Sequence, residues 1–113
     1  MPLPPPDIEA GIRFLTTEEG GRQTPVRSGY RPNHDFGVEG QLNDAVHQYI
    51  DKQWVAPGET VIAHLSFMAP EHHDIFGGQL YEGFEFTVQE GARIVGRGRI
   101  TKVLNEALIR AEP

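Results

Sequence analysis

Apolar and polar residues alternate along several short segments of the chain, which is the spacing of a β-strand with one buried face. The clearest segment carries Val61, Ala63, Leu65 and Phe67 at every second position. The residues between them are also partly apolar, as expected of a strand that is covered on both faces. Similar alternation predicts further strands at residues 8–14, 84–88 and 93–103, and a weaker one around Phe36 and Val38.

Turn signals rich in glycine and proline separate these segments, at residues 18–21, 56–59, 77–78 and 90–91. Five or six short strands separated in this way predict an antiparallel β-barrel or sandwich. Closure into a barrel is favoured, because an open sheet of this size would leave long unpaired edges. We expect the core to include Ile12, Phe14, Val61, Leu65, Phe86 and Ile100.

Residues 41–53 follow a different spacing, in which apolar residues recur at helical intervals. These residues are Leu42, Ala45, Val46, Tyr49 and Ile50. The spacing predicts a short amphipathic helix. With Trp54, the segment has more apolar area than a plain loop needs, so it either caps the barrel or forms a protein contact. The residues of the hypothetical interface, most simply that of a homodimer, are Leu42, Val46, Tyr49, Ile50 and Trp54.

The 113 residues are enough for one domain. We divide them into a proline-rich leader at 1–7, a barrel domain at 8–104 and a tail at 105–113. The absence of cysteine excludes disulfides and suits a reducing cytoplasm. The chain shows no signal-peptide pattern and no apolar run of the roughly 18 residues that a membrane helix needs. A net charge of −6 disfavours general nucleic-acid binding.

Four groups of residues occur in the order and at the distances that one known family shows. They are Phe14–Pro25, which includes Gly20-Gly21-Arg22 and Thr24-Pro25; Gly29-Tyr30-Arg31-Pro32; Pro57-Gly58-Glu59; and Glu90–Val103, which includes Glu90-Gly91, Val95-Gly96 and Lys102-Val103. Through these residues the chain resembles the C-terminal domain of elongation factor Tu from about residue 8 to residue 104. The resemblance implies a closed, six-stranded antiparallel β-barrel, in agreement with the alternation of apolar residues.

The resemblance also implies a candidate RNA surface, because the matching positions of the family lie near the tRNA backbone around the T stem. These positions are Arg22, Gln23, Asn33, Glu90 and Gly91. An arginine beside an exposed turn amide suits a phosphate group. The alternative is that these residues build turns that the barrel requires, with Arg22 paired to Glu18 or Glu90.

The chain departs from the family in three places. The segment at residues 33–53 is acidic and partly helical in pattern, where the family has a strand rich in threonine and aromatic residues. Gln23 occupies a position that is commonly histidine, and Arg97 and Arg99 are additional charges in the last strand. The chain also lacks a Gly-x-x-x-x-Gly-Lys-Ser/Thr loop, so GTP binding and hydrolysis are not implied.

Histidines and serines suggest two further kinds of site. The histidines are His34, His47, His64, His72 and His73, with Asp74 beside the last two. Adjacent histidines on an extended chain point in opposite directions and so do not bind one metal ion together. We therefore interpret His72 and His73 as loop histidines exposed to solvent. Neither Ser28 nor Ser66 lies in a Gly-x-Ser-x-Gly elbow, which leaves a hydrolase without its usual nucleophile.

The last predicted strand is basic, through Arg93, Arg97, Arg99 and Lys102. Two interpretations stay open: the arginines pair with Glu82 or Glu85 on the neighbouring strand, or they form a stripe for an acidic partner.

We therefore predict a non-catalytic, cytoplasmic binding module without a cofactor, a metal or GTP, whose partner is a protein or a second copy of the chain. The alternative is an RNA-associated module in or near translation. The net charge of the chain disfavours tRNA binding by such a module. A small hydrolase or a metal-binding protein is the remaining alternative.

Overall fold

A computed structural model describes residues 5–37, 41–68 and 80–106 of the chain. These residues form eight β-strands and no α-helix. The strands are β1 (Ile8–Phe14), β2 (Val26–Arg27), β3 (Asn33–Asp35), β4 (Asn43–Tyr49), β5 (Trp54–Val55), β6 (Thr60–Phe67), β7 (Glu85–Glu90) and β8 (Arg93–Val103). Within the same residues, no helix has the length and apolar character that a membrane crossing requires.

Six of the strands close into a barrel in the order β1-β6-β4-β3-β7-β8, with every neighbouring pair antiparallel. The short strands β2 and β5 form a separate two-stranded sheet. The closed six-stranded barrel confirms the predicted fold. Closure leaves no unpaired edge in the main sheet, so each of its strands has a hydrogen-bonding partner on both sides.

The core follows from the alternation of side chains along each strand. In β1, for example, Ile8, Ala10 and Ile12 point inward and are fully buried, while Glu9 and Arg13 point outward. The six residues expected in the core are all buried, which confirms that prediction: Ile12, Phe14, Val61, Leu65, Phe86 and Ile100. Aromatic rings fill one part of the interior, where Phe36 packs against Phe86 and Phe67.

The helix predicted for residues 41–53 is wrong, because this segment contains β4. β4 pairs with β6 from Ala45 opposite Phe67 to Tyr49 opposite Ala63, and it also pairs with β3. The inward residues of β4 include Asn43 and His47, both buried, so polar residues stand at positions where an alternating pattern has apolar ones. The barrel closes only through this strand, and its long-range pairing overrides the local spacing.

The weak strand predicted around Phe36 and Val38 is displaced toward the N-terminus. β3 ends at Asp35, Phe36 is buried just after it, and Val38 lies outside the described residues.

The residues just before β1 contact those just after β8. Asp7 is buried, and its backbone oxygen accepts hydrogen bonds from the amides of Leu104 and Asn105. These bonds tie the start of β1 to the residues that follow β8.

Candidate binding surface

The tight turn between β7 and β8 holds a neighbouring loop in place. Gly91 has a φ of +63°, a conformation that glycine adopts without strain. Just after it, the Arg93 guanidinium donates hydrogen bonds to the backbone oxygens of Gly20 and Gly21, at 2.9 and 2.6 Å. These two hydrogen bonds fix the loop to Arg93. They also place Arg22, the residue after Gly21, beside the turn.

Arg22 and Glu90 form an ion pair across this junction. The Tyr30 hydroxyl donates a 2.6 Å hydrogen bond to the same carboxylate oxygen of Glu90, and the Arg22 guanidinium lies 5.3 Å from the centre of the Tyr30 ring. Burial by itself would raise the pKa of Glu90, but the hydrogen bonds from Tyr30 and Arg22 hold that pKa below its usual value. Glu90 is therefore charged at neutral pH and offsets the charge of Arg22.

The remaining donors of Arg22 also face its own loop. Its Nε atom donates to the backbone oxygen of Thr24 at 3.3 Å, and its Nη2 atom donates to the Thr24 hydroxyl at 3.0 Å. Of the two partners that the sequence left open for Arg22, the structure has Glu90. These contacts agree with the interpretation in which Arg22 supports a turn of the barrel.

Asn33 joins the same cluster from β3. Its side-chain oxygen accepts a 3.2 Å hydrogen bond from the Gly91 amide, and its side-chain nitrogen donates to Asp44 at 2.8 Å. The structure thus brings together four of the five residues that the resemblance marked for RNA. The fifth, Gln23, is exposed on the loop, with no hydrogen bond to any other described residue.

A shallow groove of about 420 Å³ extends from this cluster along the β2–β5 sheet. Its lining residues are Arg22, Pro25, Val26, Arg27, Ser28, Gly29, Tyr30 and Trp54. Trp54, the one tryptophan of the sequence, is 52% exposed, and the Arg27 guanidinium lies 5.6 Å from the centre of its ring. The pairing of β2 with β5 sets Arg27 directly opposite Trp54. The groove therefore offers an aromatic face and an arginine, both accessible.

The five residues of the hypothetical protein interface do not lie on one surface. Val46 and Tyr49 are buried, so neither presents a side chain to a partner in this conformation. Leu42 and Ile50 are exposed, but they flank the two ends of β4. Trp54 alone of the five lines the groove.

Arg27 and Tyr30 also belong to this surface, although the sequence indicated neither as a binding residue. Tyr30 lies within the Gly29–Pro32 segment, which matched the pattern of the family but indicated no contact for this side chain. Arg27 carried no signal, because its role depends on the pairing of two strands of only two residues each.

The other candidate sites have structural contacts of their own. His64 lies 3.2 Å from a Glu9 carboxylate oxygen, and the Ser28 hydroxyl accepts a hydrogen bond from the Tyr49 amide at 2.9 Å. Ser66 is buried in β6. The described residues contain no group of three or more histidine, aspartate or glutamate side chains able to hold a metal ion. His72, His73 and Asp74 lie outside the described residues.

Comparison with known protein families gives a match that covers most of the 113-residue chain. The family model described as "Elongation factor Tu C-terminal domain" matches residues 3–104. The matched region includes all eight strands, and it also includes both the Arg22–Glu90 cluster and Trp54.

Proposed function

We propose that this chain, which belongs to the elongation factor Tu C-terminal domain family, is a non-catalytic binding module whose partner is a protein. The observation that carries the proposal is the exposure of Trp54 in the groove beside Arg27. Tryptophan and arginine are the residues most enriched at the energetic centres of protein interfaces. A ring of this size, half exposed on a two-stranded sheet, stabilises the isolated domain less than it would stabilise a complex.

The electrostatics of the groove also favour a protein over a phosphate backbone. The Glu90 carboxylate offsets the charge of Arg22, which leaves Arg27 as the cation of the groove without an ion pair among the described residues. Nucleic-acid binding at physiological salt draws on several lysine or arginine contacts. The chain as a whole carries −6. An aromatic face with one arginine is better suited to an apolar or aromatic side chain of another protein.

A second copy of the chain is the simplest such partner. Homodimers are the commonest oligomers, and a two-fold axis brings the same patch of each copy together. In that arrangement Trp54 and Arg27 of each copy contact the groove of the other.

RNA binding is the alternative function, and the Arg22 cluster favours it. Four of the residues marked by the resemblance form two hydrogen-bonded pairs, Arg22 with Glu90 and Asn33 with Gly91, at the same turn. An exposed tryptophan beside an arginine can also stack on an unpaired base. This function would be that of an RNA-associated module in or near translation.

The first test of the proposal is the oligomeric state. We expect analytical ultracentrifugation to show a dimer for the wild type and a monomer for Trp54→Ala. Ile62→Ala is the matched control, because Ile62 is 42% exposed but lies outside the groove, and we expect it to remain a dimer. A wild type that stays monomeric excludes the second copy as the partner.

The second test separates a heterologous protein from RNA. Wild type, Trp54→Ala and Arg22→Ala are each used to capture partners from cell lysate, and protein and RNA are identified in the same eluate. Loss of one captured protein with Trp54→Ala supports a protein partner. Submicromolar tRNA binding in a filter assay at about 0.15 M salt, where the Debye length is about 8 Å, would contradict the proposal if Arg22→Ala abolished it.

A further inference from the structure

We infer that the outer face of β1, β7 and β8 carries a second binding site, for an extended acidic peptide segment of a protein partner, centred on Arg97 and Arg99. The site lies in a groove of about 600 Å³ that shares no residue with the Trp54 groove. It does not depend on the function proposed for Trp54, and the two can fail separately.

The register of the barrel builds this groove. Arg99 lies opposite Gly11 on β1 and opposite Glu85 on β7, while Arg97 lies opposite Arg13 and Thr87. Because directly opposed residues point to the same side of a sheet, these side chains form two adjacent rows on the outer surface. Both Arg97 and Arg99 are exposed.

The guanidinium groups of Arg97 and Arg99 are free within the described part of the chain. Neither makes a hydrogen bond or an ion pair there, although Glu85 faces Arg99 in the register. The described residues therefore show no pairing of Arg97 or Arg99 with Glu82 or Glu85. Arg13 differs, because it forms a 2.8 Å ion pair with Glu19.

Two further features of the groove suit a ligand better than they suit the isolated barrel. Arg13 stands directly opposite Arg97, but the ion pair with Glu19 offsets the charge of Arg13, so Arg97 is the charge of that row without a partner among the described residues. Gly11 forms part of the floor, and no atom lies within 4 Å of the point where a Cβ would stand. Its backbone does not have the positive φ that requires glycine. The missing side chain therefore leaves room for a ligand between the arginines.

The spacing and the charge of the groove indicate the class of ligand. Side chains two positions apart on a strand are separated by about 6.6 Å, the same distance as alternate side chains of an extended peptide. Each arginine presents a planar fork that matches one carboxylate. Asp35 and Glu85 also line the groove, and they repel a continuous polyanion such as RNA more than a peptide with separated carboxylates. The closed barrel has no free edge here, so the contacts are made by side chains.

The test uses a fluorescein-labelled peptide of alternating glutamate and serine, titrated by fluorescence anisotropy. The titration is at about 0.1 M ionic strength, where the Debye length is about 10 Å, so charges outside the groove are largely screened. We expect saturable binding that the double variant Arg97→Gln, Arg99→Gln weakens by about tenfold. The matched control is Arg31→Gln with Lys52→Gln, which removes the same charge outside both grooves and should weaken binding by less than about twofold.

A second variant fills the groove. Gly11→Glu supplies a carboxylate beside Arg99, so we expect it to abolish peptide binding without lowering Tm. Trp54→Ala should leave the peptide affinity unchanged, which distinguishes this site from the one proposed above. Equal weakening by both double variants, full binding by Gly11→Glu, or tighter binding of polyuridylate than of the peptide would each overturn the inference.

Discussion

The imidazole rings of His34 and His47 meet inside the barrel, with their Nε2 atoms 2.8 Å apart. Both residues are 0% exposed. The Nδ1 atom of His34 lies 2.8 Å from the backbone oxygen of Asn43, which can only accept a hydrogen bond. Nδ1 of His34 is therefore the protonated nitrogen, and its Nε2 atom accepts a hydrogen bond from His47.

The hydrogen bonds continue from His47 to Tyr49. A neutral His47 that donates from Nε2 has a bare Nδ1, and this atom lies 3.0 Å from the Tyr49 hydroxyl, which donates to it. The chain of donors runs from Tyr49 through His47 and His34 to Asn43, and every imidazole nitrogen in it has a partner. It requires both histidines to be neutral. Burial favours the same state, because it lowers the pKa of His34 to about 4 and the pKa of His47 well below its usual value.

The first prediction is a loss of stability in mild acid. The unfolded histidines take up protons below a pKa of 6.5, whereas folded His34 resists protonation down to about 4. Their contribution is therefore complete above pH 6.5 and is lost as the pH falls toward 4, by up to about 1.4 kcal/mol per pH unit for each histidine. Urea denaturation from pH 7.5 to 4.5 measures this slope.

The choice of pH range separates the histidines from the carboxylates. Glu9, Glu59 and Glu90 have pKa values held below 4.5, so their contributions are lost at lower pH. An unfolding free energy that stays constant between pH 7 and pH 5 would contradict the neutral histidine pair.

The second prediction concerns Tyr49→Phe. The substitution removes the donor to His47 Nδ1 and leaves a buried nitrogen without a partner, at an expected cost of about 1–3 kcal/mol. The free energy of unfolding at pH 7.5 is the measurement. A loss below about 0.5 kcal/mol, the range of surface substitutions, would show that the hydroxyl does not serve this network.

Alternation along the chain was enough to locate most of the barrel. Strands such as β1 and β6 place apolar side chains inward at every second residue, and the residues expected in the core are there. β4 was not predicted as a strand, because two of its inward residues, Asn43 and His47, are polar. The hydrogen-bonded network that accepts His47 inside is assembled from β3 and β4, so no local window of the sequence reveals it.

The candidate binding surface was less predictable than the fold, for a related reason. Arg22 and Glu90 are separated by 68 positions in the sequence, and closure of the barrel brings them together. The sequence left Glu90 as one of two partners for Arg22, and geometry was needed to choose. Arg27 and Trp54 meet through strands too short to have a recognisable period.

The third prediction concerns nucleotides. The sequence has no Gly-x-x-x-x-Gly-Lys-Ser/Thr motif, whose backbone amides and lysine hold the phosphates of a nucleotide with magnesium in the proteins that carry it. We expect isothermal titration calorimetry with magnesium and GTP to give no saturable heat. Binding in the micromolar range would contradict this prediction and would require a phosphate site of another kind.

The last prediction compares two glycines that stand on opposite faces of the barrel wall. A Cβ at Gly98 would lie 2.3 Å from Cζ of the buried Phe86 ring, whose neighbour Phe36 has its ring centre 4.9 Å away. The ring has little room to move, so Gly98→Ala should lower the free energy of unfolding by about 1–3 kcal/mol. Gly11→Ala adds the same methyl group on the open outer face, where nothing lies within 4 Å, and should be neutral or stabilising by about 0.4–1 kcal/mol. Urea denaturation of both variants at pH 7.5 tests the pair. Equal effects would mean that Phe86 can move aside, and that close approach of β7 and β8 is not what requires glycine at position 98.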